Sequence, residues 1–271
     1  MDNSKPRIIQ WNCRGLRSNR PEVDILLSNH DPGIVCFQET LLSKDPSFKG
    51  YRSYHKTGTI DNSGRAHGGV AIIVKDQIPQ SPVALRTNLQ AIAVEVSLHK
   101  AITICSLYCP PGINLDTADL DDLINQLPRP YIIVGDFNAH NNLWGNRTDQ
   151  RGKQIENFID RNNLCMWNDG RHTYLHPGSG SFTAIDLSLC YPSLFNDFAW
   201  EVDEDLHGSD HYPILLKSSG PAGTNIPKWQ LHKADWEQFE NMCQQQLKDD
   251  ILLRDNPAEE YSKILLDISE A

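Results

Sequence analysis

The sequence predicts an α/β protein in which helices lie outside paired sheets. Strand-like and helix-like segments alternate in a mixed order along the chain, the pattern from which this fold class is inferred. The length of 271 residues allows one large domain with or without an appendage, and a hydrophobic fraction of 39% is enough for a packed core.

Composition excludes several classes of protein. No apolar run is long enough to span a membrane, and the N-terminus lacks a signal-peptide pattern. The seven cysteines form no CxxC pair and no zinc-site spacing. We therefore expect an intracellular protein without a membrane partner. The net charge of −10 gives no support for a nucleic-acid partner by itself.

The first third of the chain delivers polar residues to strand ends. Arg7–Cys13 reads as a strand that ends near Asn12. The segment "PEVDILLSNHDPG" predicts a helix with Pro21 in its first turn. The apolar run Ile34–Phe37 then ends at Gln38 and Glu39, and strands rarely end on such a pair for packing reasons. The alternative for Glu39 is an ordinary surface carboxylate.

The next segments predict a loop and three strands. Tyr51–His67 is polar and contains glycines, which indicates a loop with a weak hairpin. Strands follow at Gly68–Val74 and at Ala91–Leu98, where alternation predicts one buried face. Ala101–Tyr108 is a further strand that ends before "CPPG", so Tyr108 is either a packed aromatic or a phosphate contact.

The segment "YIIVGDFNAHN" is the centre of the predicted site. A helix over Asp116–Leu127 precedes it, and Tyr131–Val134 has the β-branched composition of a buried strand. Asp136 and Asn138 lie two residues apart, so an extended chain presents both side chains on one side. An Asx turn explains the pair equally well from these residues alone.

Further acids follow in the last part of the domain. After a helix around Ile155 and Phe158, Phe182–Cys190 predicts a strand with Asp186 in its middle. A carboxylate within an apolar strand is costly unless it is paired, which favours a functional role. Trp200–Leu216 closes the domain, with "GSDHYP" just before the last strand.

We divide the chain into a main domain at 1–218, a linker at 219–227 and a helical connector at 228–271. The linker is rich in Gly, Ser and Pro. The connector contains two amphipathic helices, the second beginning at Asn256 with Pro257 in its first turn.

The unusual polar residues share a position at or near strand ends. They are Asn12, Glu39, Tyr108, Asp136, Asn138, Asp186, Asp210 and His211. Oxygen ligands of this kind suit Mg²⁺, and a histidine beside a carboxylate suits charge stabilisation or proton transfer. Hydrolysis of a phosphate ester needs a positioned water, a cation and hydrogen-bond donors, and this inventory contains all three.

The motifs "QWN", "FQE", "LYCPPG", "GDFNAH", "IDL" and "GSDHYP" resemble, in this order, the endonuclease/exonuclease/phosphatase superfamily over residues 7–217. The segments "WNCRGLRSNRPE", "HGGVAIIV", "GDFNAHNNLWG" and "WEVDEDLHGSDHYPI" resemble the apurinic-type endonuclease domain of non-LTR retrotransposons of the jockey and I-factor kind. The tail segment "IPKWQLHKADWEQF" resembles the connector to their reverse transcriptase.

The resemblance implies a four-layer α/β sandwich, two packed mixed sheets flanked by helices, with a helical C-terminal extension. It also implies residue roles. The implied metal ligands are Glu39, Asn12 and Asp210. The implied catalytic residues are Asp136, Asn138, His211, Asp186 and Tyr108. The implied phosphate or supporting residues are Thr183, Ser209 and Thr173.

The implied activity is nicking of double-stranded DNA to give a 3′-hydroxyl primer for target-primed reverse transcription. It would require Mg²⁺, with Mn²⁺ able to substitute, and no small-molecule cofactor. The partner would be a reverse transcriptase domain in the same polyprotein. The endonuclease would act in the nucleus. The alternatives are an abasic-site repair endonuclease or another phosphodiesterase of the superfamily, and a DNA-docking module that does not cut.

The segment "RHTYLHPGSGSFT" predicts a hairpin beside Asp186. Its side chains Arg171, His172, Tyr174 and His176 can reach a DNA groove or phosphates from there. The alternative is a plain surface hairpin.

Overall fold

The computed structural model describes residues 7–113, 115–219 and 236–246. The first sheet contains, in spatial order, β15 (Phe198–Val202), β16 (Ile214–Ser218), β1 (Arg7–Asn12), β2 (Ile34–Gln38), β6 (Val70–Lys75) and β3 (Tyr51–Lys56). The second contains β11 (Cys165–Met166), β14 (Asp186–Cys190), β10 (Tyr131–Asp136), β9 (Ala101–Tyr108), β8 (Gln90–Ser97) and β7 (Gln80–Val83).

Two small hairpins and four α-helices complete the described structure. The hairpins are β4 (Thr59–Ile60) with β5 (Ala66–His67), and β12 (Tyr174–Leu175) with β13 (Phe182–Thr183). The helices are α1 (Arg20–His30), α2 (Thr117–Asn125), α3 (Gln150–Arg161) and α4 (Trp236–Gln246), with a 3₁₀ turn at Pro192–Asp197.

Three apolar clusters separate four layers. In the first, Val23 and Leu26 of α1 pack on the outer face of the first sheet. In the second, Ile8 and Ile132 are among the residues that fill the space between the two sheets. In the third, residues of α2 and α3 cover the outer face of the second sheet, with Phe158 fully buried. The predicted four-layer sandwich is confirmed.

The strand directions bring the predicted polar residues to one edge of the sandwich. β1 and β2 are parallel, as are β9 and β10, and β14 and β16 run antiparallel to their central neighbours. The ends of the parallel strands therefore meet the starts of the antiparallel ones. In register, Asp136 lies opposite Tyr108 on one side and Asp186 on the other.

Two of the predicted elements differ from the structure. Tyr51–Lys56 is a strand paired with β6, whereas the sequence predicted a loop over Tyr51–His67. This edge strand is only partly buried, so it lacks the apolar alternation by which strands are recognised. The predicted strand Phe182–Cys190 is interrupted at Ala184–Ile185, so Asp186 begins a strand instead of lying inside one.

β8 is covered on both faces, although the sequence predicted one buried face. Val94 and Val96 pack between the sheets, as expected from the alternation. Ala91 and Ala93 on the other face pack into the cluster beneath α2 and α3. The small size of alanine hides this second buried face from a hydrophobic-periodicity argument.

The chain divides into two units, residues 1–224 and 225–271. In the second unit, α4 coincides with the first predicted tail helix. Residues 220–227 of the predicted linker and the second predicted helix, from Asn256, lie outside the described residues. Among the residues that the structure describes, no helix is long and apolar enough to cross a membrane.

The close approach of β9 and β10 near the site yields a testable prediction. A Cβ added at Gly135 would lie 1.9 Å from the carbonyl oxygen of Leu107 on β9. Gly135→Ala should therefore lower the free energy of unfolding by about 3 kcal/mol, because the strands must separate to relieve the overlap.

Thermal or urea unfolding measures this change, with Gly145→Ala as the control. A Cβ at Gly145 would meet its nearest neighbour at an ordinary contact of 3.5 Å, so that variant should unfold close to the parent. Equal stability of the two variants would contradict the close approach of the strands.

Candidate active site

A groove of about 670 Å³ opens at the edge where the strand ends meet. Its wall combines carboxylates with basic and amide side chains, in contrast to the apolar interior beneath it. Eight predicted residues line it: Glu39, Asp136, Asn138, Tyr174, His176, Thr183, Asp210 and His211.

Asp136 is a buried carboxylate held by three donors at the bottom of the groove. Its Oδ1 accepts the backbone N–H of Asn138 at 2.9 Å, and its Oδ2 accepts the amide groups of Asn138 and Asn12, each at 2.9 Å. Burial raises the pKa of Asp136 to about 7, although the nearby His211 acts in the opposite direction. The carboxylate is thus fixed in orientation and able to accept a proton near neutral pH.

His211 is oriented by Asp186 and faces Asp136. Its Nδ1 lies 2.9 Å from Oδ2 of Asp186, which also accepts the Thr173 hydroxyl at 2.7 Å. Its Nε2 lies 3.9 Å from Oδ2 of Asp136. Burial alone would lower the pKa of His211, but the charge and hydrogen bond of Asp186, with Asp136, raise it to about 9. The imidazolium form is therefore favoured at neutral pH.

Asp136, Asp186 and His211 are close enough to suggest a metal site. One ligand atom from each lies within 4.8 Å of the others, the one such group among the described residues. Oδ2 of Asp186 already binds His211 and Thr173, and Oδ2 of Asp136 already accepts the two asparagine amides. We therefore interpret the group as a charged imidazole placed between two hydrogen-bonded carboxylates.

The predicted metal ligands lie on another part of the groove wall. Glu39 accepts the Tyr108 hydroxyl at 2.5 Å through Oε1 alone, and its backbone is left-handed with φ 49°. Burial and the Glu39 charge raise the pKa of Tyr108, so it stays a phenol that donates to Glu39. Asp210 is partly exposed in the same groove. Asn12 is buried behind the groove lining, and its Oδ1 accepts the N–H of Arg14 at 3.1 Å. The carboxylate oxygens of Glu39 and Asp210 suit a hard divalent cation.

Two of the predicted phosphate or supporting residues have structural partners. Thr173 is fully buried and its hydroxyl donates to Asp186, while its contact with phosphate stays a prediction. Ser209 donates to the carbonyl of Asn12 at 2.7 Å and accepts the N–H of His211. It anchors the loop that carries Asp210 and His211. Local sequence could not distinguish these hydroxyls from Thr183, because their partners are distant in the chain.

The hairpin of β12 and β13 forms one wall of the groove, as predicted. The ring of Tyr174 lies 4.6 Å from that of His211, and Leu175 donates its N–H to the carbonyl of Asp210 at 2.8 Å. Tyr174 and His176 face the groove. The hairpin is thus attached directly to the loop that carries the catalytic candidates.

The other two predicted hairpin contacts lie elsewhere. Arg171 forms a bidentate ion pair with Asp169, stacks on Trp200 and does not line the groove, while its contact with DNA stays a prediction. His172 stacks on Phe182 and does not line the groove. The sequence contained a signal for this ion pair, because an acid two residues before an arginine is close enough to bind it.

Three charged or titratable groove residues, His140, Arg147 and Arg14, were not predicted. His140 accepts a hydrogen bond from Arg147 at Nε2, 2.7 Å away, and its Nδ1 lies 3.1 Å from the Thr183 hydroxyl. Burial and the Arg147 charge lower the pKa of His140, so it is held neutral, with its proton toward Thr183. Arg14 forms an ion pair with Asp210. Each of the three lies two to nine residues from a predicted residue in the sequence. This proximity is the only local sign that they belong to the site.

The His211–Asp186 pair yields a prediction about pH. Because the folded-state pKa of His211 is about 9, against a usual value of 6.5, the pair stabilises the fold fully below pH 6.5. This stabilisation is lost as the pH rises through 9. We expect the unfolding free energy of metal-free protein to fall over that interval. Asp186→Asn should flatten the fall, because the charge that raises the pKa is gone.

Urea unfolding in EDTA at several pH values measures this effect, and NMR titration of the His211 ring gives its pKa directly. Asp24→Asn removes an exposed acid paired with Arg20 and serves as the control. A His211 pKa that is the same in Asp186→Asn as in the parent would contradict the pairing.

Comparisons with known proteins agree with this fold. Residues 102–215 match the family described as endonuclease-reverse transcriptase. The RNA-directed DNA polymerase from mobile element jockey of Drosophila melanogaster is 31% identical over 213 residues, covering 76% of this chain and 23% of that protein. The probable RNA-directed DNA polymerase from transposon X-element of the same species is 27% identical over 220 residues, covering 78% and 24%.

Solved structures share the architecture. The endonuclease domain of TRAS1, a telomere-specific non-LTR retrotransposon, has a TM-score of 0.68 and 23% identity over 79% of this chain and 98% of that one. An AP endonuclease from Archaeoglobus fulgidus has a TM-score of 0.64 and 17% identity over 79% and 100%. The chain spans about a quarter of the length of the curated relatives it matches. In sequence and in fold, this chain is similar to the endonuclease domains of non-LTR retrotransposons.

Proposed function

We propose that this chain nicks double-stranded DNA in a Mg²⁺-dependent reaction and leaves a 3′-hydroxyl end that primes reverse transcription. The observation that carries the proposal is the pairing of buried Asp136 with His211 beside the open carboxylates of Glu39 and Asp210. This arrangement offers a proton acceptor, a protonated imidazole and ligands for a cation in one groove.

The residues divide the chemistry as follows. Asp136, held by the amides of Asn12 and Asn138, orients the attacking water and takes its proton. His211 presents Nε2 to the phosphate oxygens, where positive charge stabilises the transition state. Asp186 keeps the ring oriented and charged. Tyr108 fixes the carboxylate of Glu39 through its hydroxyl.

Glu39 and Asp210, with the amide oxygen of Asn12, would hold the divalent ion. When bound, Mg²⁺ supplies positive charge to the phosphate and to the departing 3′ oxygen. Mn²⁺ prefers similar oxygen ligands and should substitute. No small-molecule cofactor is part of the proposal.

We infer the partners from the same site and from the relatives. A groove that combines carboxylates with Arg14 and Arg147 suits a phosphodiester backbone in an otherwise acidic protein. The jockey relative is an RNA-directed DNA polymerase, which supports a reverse transcriptase domain in the same polyprotein. Target-primed synthesis would take place in the nucleus. An abasic-site repair enzyme would instead require a damaged duplex.

The activity is tested with supercoiled plasmid. Asp136→Ala or His211→Ala should lower the nicking rate by about 10³-fold or more, because each acts on the transition state. Both variants should keep their fold, as judged by circular dichroism. The substrate set includes intact and abasic duplexes, and priming by a polymerase reports the 3′ end.

Plasmid that stays uncut by the parent protein in Mg²⁺ and Mn²⁺ alike would overturn the proposed function. Cleavage of abasic duplex alone would favour the repair alternative. Parental rates in both alanine variants would show that the residue roles are wrong.

The hairpin of β12 and β13 is proposed to select the target. Tyr174 and His176 line the groove beside the scissile position, where they contact the duplex, while groove width and deformability carry most of the preference. Shortening His176–Ser181 to a two-residue turn should redistribute nicks along a long duplex without abolishing cleavage.

Mapping of nick positions on a long end-labelled duplex measures the redistribution. Arg171→Gln is the matched control, because Arg171 belongs to the same segment but is bound to Asp169 outside the groove. An identical nick pattern from the shortened variant would show that the hairpin does not select the target.

A further inference from the structure

We propose that Arg14 is an internal counter-charge for Asp210 that competes with the divalent cation and that exchanges Asp210 for a phosphate when DNA binds. The inference rests on the proposed function, since it uses the same groove. It assigns Arg14 as a positioning residue that couples metal binding to DNA binding.

The backbone of Arg14 is fixed between two of the metal-ligand candidates. Its φ of 46° is left-handed, and its N–H donates to Oδ1 of Asn12 at 3.1 Å. The next N–H, of Gly15, donates to the carbonyl of Glu39 at 2.8 Å. The side chain therefore starts from a defined point at the junction of β1 and β2, within reach of all three candidate ligands.

The guanidinium of Arg14 reaches Asp210, which lies before the neighbouring strand β16 of the same sheet. Its Nη1 lies 3.2 Å from Oδ2 of Asp210, the single ion pair that Arg14 forms among the described residues. The Arg14 side chain is 56% exposed, whereas that of Asp210 is 15% exposed. The remaining N–H groups of Arg14 thus face the groove and solvent and are free to bind an anion.

An ion pair with one exposed partner is weak, so it exchanges easily for a better one. A divalent cation and Arg14 cannot both fully use the same carboxylate, because each repels the other. A phosphate offers Arg14 a bidentate partner in place of Asp210. By linkage, DNA should raise the affinity for the cation, and the cation should raise the affinity for DNA.

The test measures binding and needs no cleavage. Mn²⁺ is titrated into DNA-free protein and followed by electron paramagnetic resonance. A fluorescent duplex is titrated separately in EDTA and followed by anisotropy. The variants are Arg14→Gln, Arg14→Lys and the control Arg17→Gln. Arg17 is an exposed arginine three residues away that does not line the groove, so its substitution removes the same charge elsewhere.

We expect Arg14→Gln to bind Mn²⁺ about fivefold more tightly than the parent, because a positive charge a few ångströms from the ion is removed. In EDTA it should bind the duplex more weakly, with a salt dependence reduced by about one phosphate contact. Arg14→Lys should stay near the parent in Mn²⁺ affinity, and Arg17→Gln should not tighten Mn²⁺ binding.

Mn²⁺ affinity of Arg14→Gln that equals or falls below that of the parent would overturn the competition. If Arg17→Gln tightened Mn²⁺ binding as much as Arg14→Gln does, the effect would be one of net charge, and the proposed competition would also be overturned. If Arg14→Gln bound the duplex with the affinity and salt dependence of the parent, the proposed transfer of Arg14 to a phosphate would be overturned. If any of these results is found but the parent protein nicks plasmid, only the role of Arg14 is overturned and the proposed function stands. If the parent protein neither binds Mn²⁺ nor nicks plasmid, both the proposed function and the role of Arg14 are overturned.

Discussion

Two buried carboxylates that face each other set the conditions for the whole site. Asp136 and Asp186 lie in register on β10 and β14, and each is about 1% exposed. Two like charges out of water are costly unless donors and a positive charge compensate them. Part of that compensation comes from the other sheet, as the amide of Asn12 and the imidazole of His211. The sandwich must therefore close with both sheet edges aligned.

The inner faces of the sheets change in polarity along the strands. On β1 the inward positions run Ile8, Gln10, Asn12, from the buried apolar cluster to the groove. Just below the site, Gln38 donates to Ser106 on the opposite sheet, and Ser188 donates to Gln10. These cross-sheet hydrogen bonds fix the offset between the sheets. The site thus sits on a polar layer that the apolar core alone could not align.

Backbone strain is concentrated where the strands end. Arg14, Glu39 and Asn138 all have positive φ, a conformation that non-glycine residues adopt at an energetic cost. Each follows one of the central parallel strands and carries a side chain into the groove. Hydrogen bonds from neighbouring segments hold these turns, as when Gly15 binds the carbonyl of Glu39. The surrounding fold therefore supplies the stability that these turns lack.

The sequence by itself determined the α/β class, the central strands and the polar residues at their ends. These follow from local patterns, because a β-branched run and the residue that breaks it are neighbours in the chain. Only the tertiary structure decided which polar side chain meets which partner. Thr173 and Thr183 look alike in sequence, yet one is buried against Asp186 and the other faces the groove. Arg14 gave no local sign of its role, because Asp210 arrives from the far end of the domain. Packing of the two sheets brings such residues together, and that contact has no signature in local periodicity.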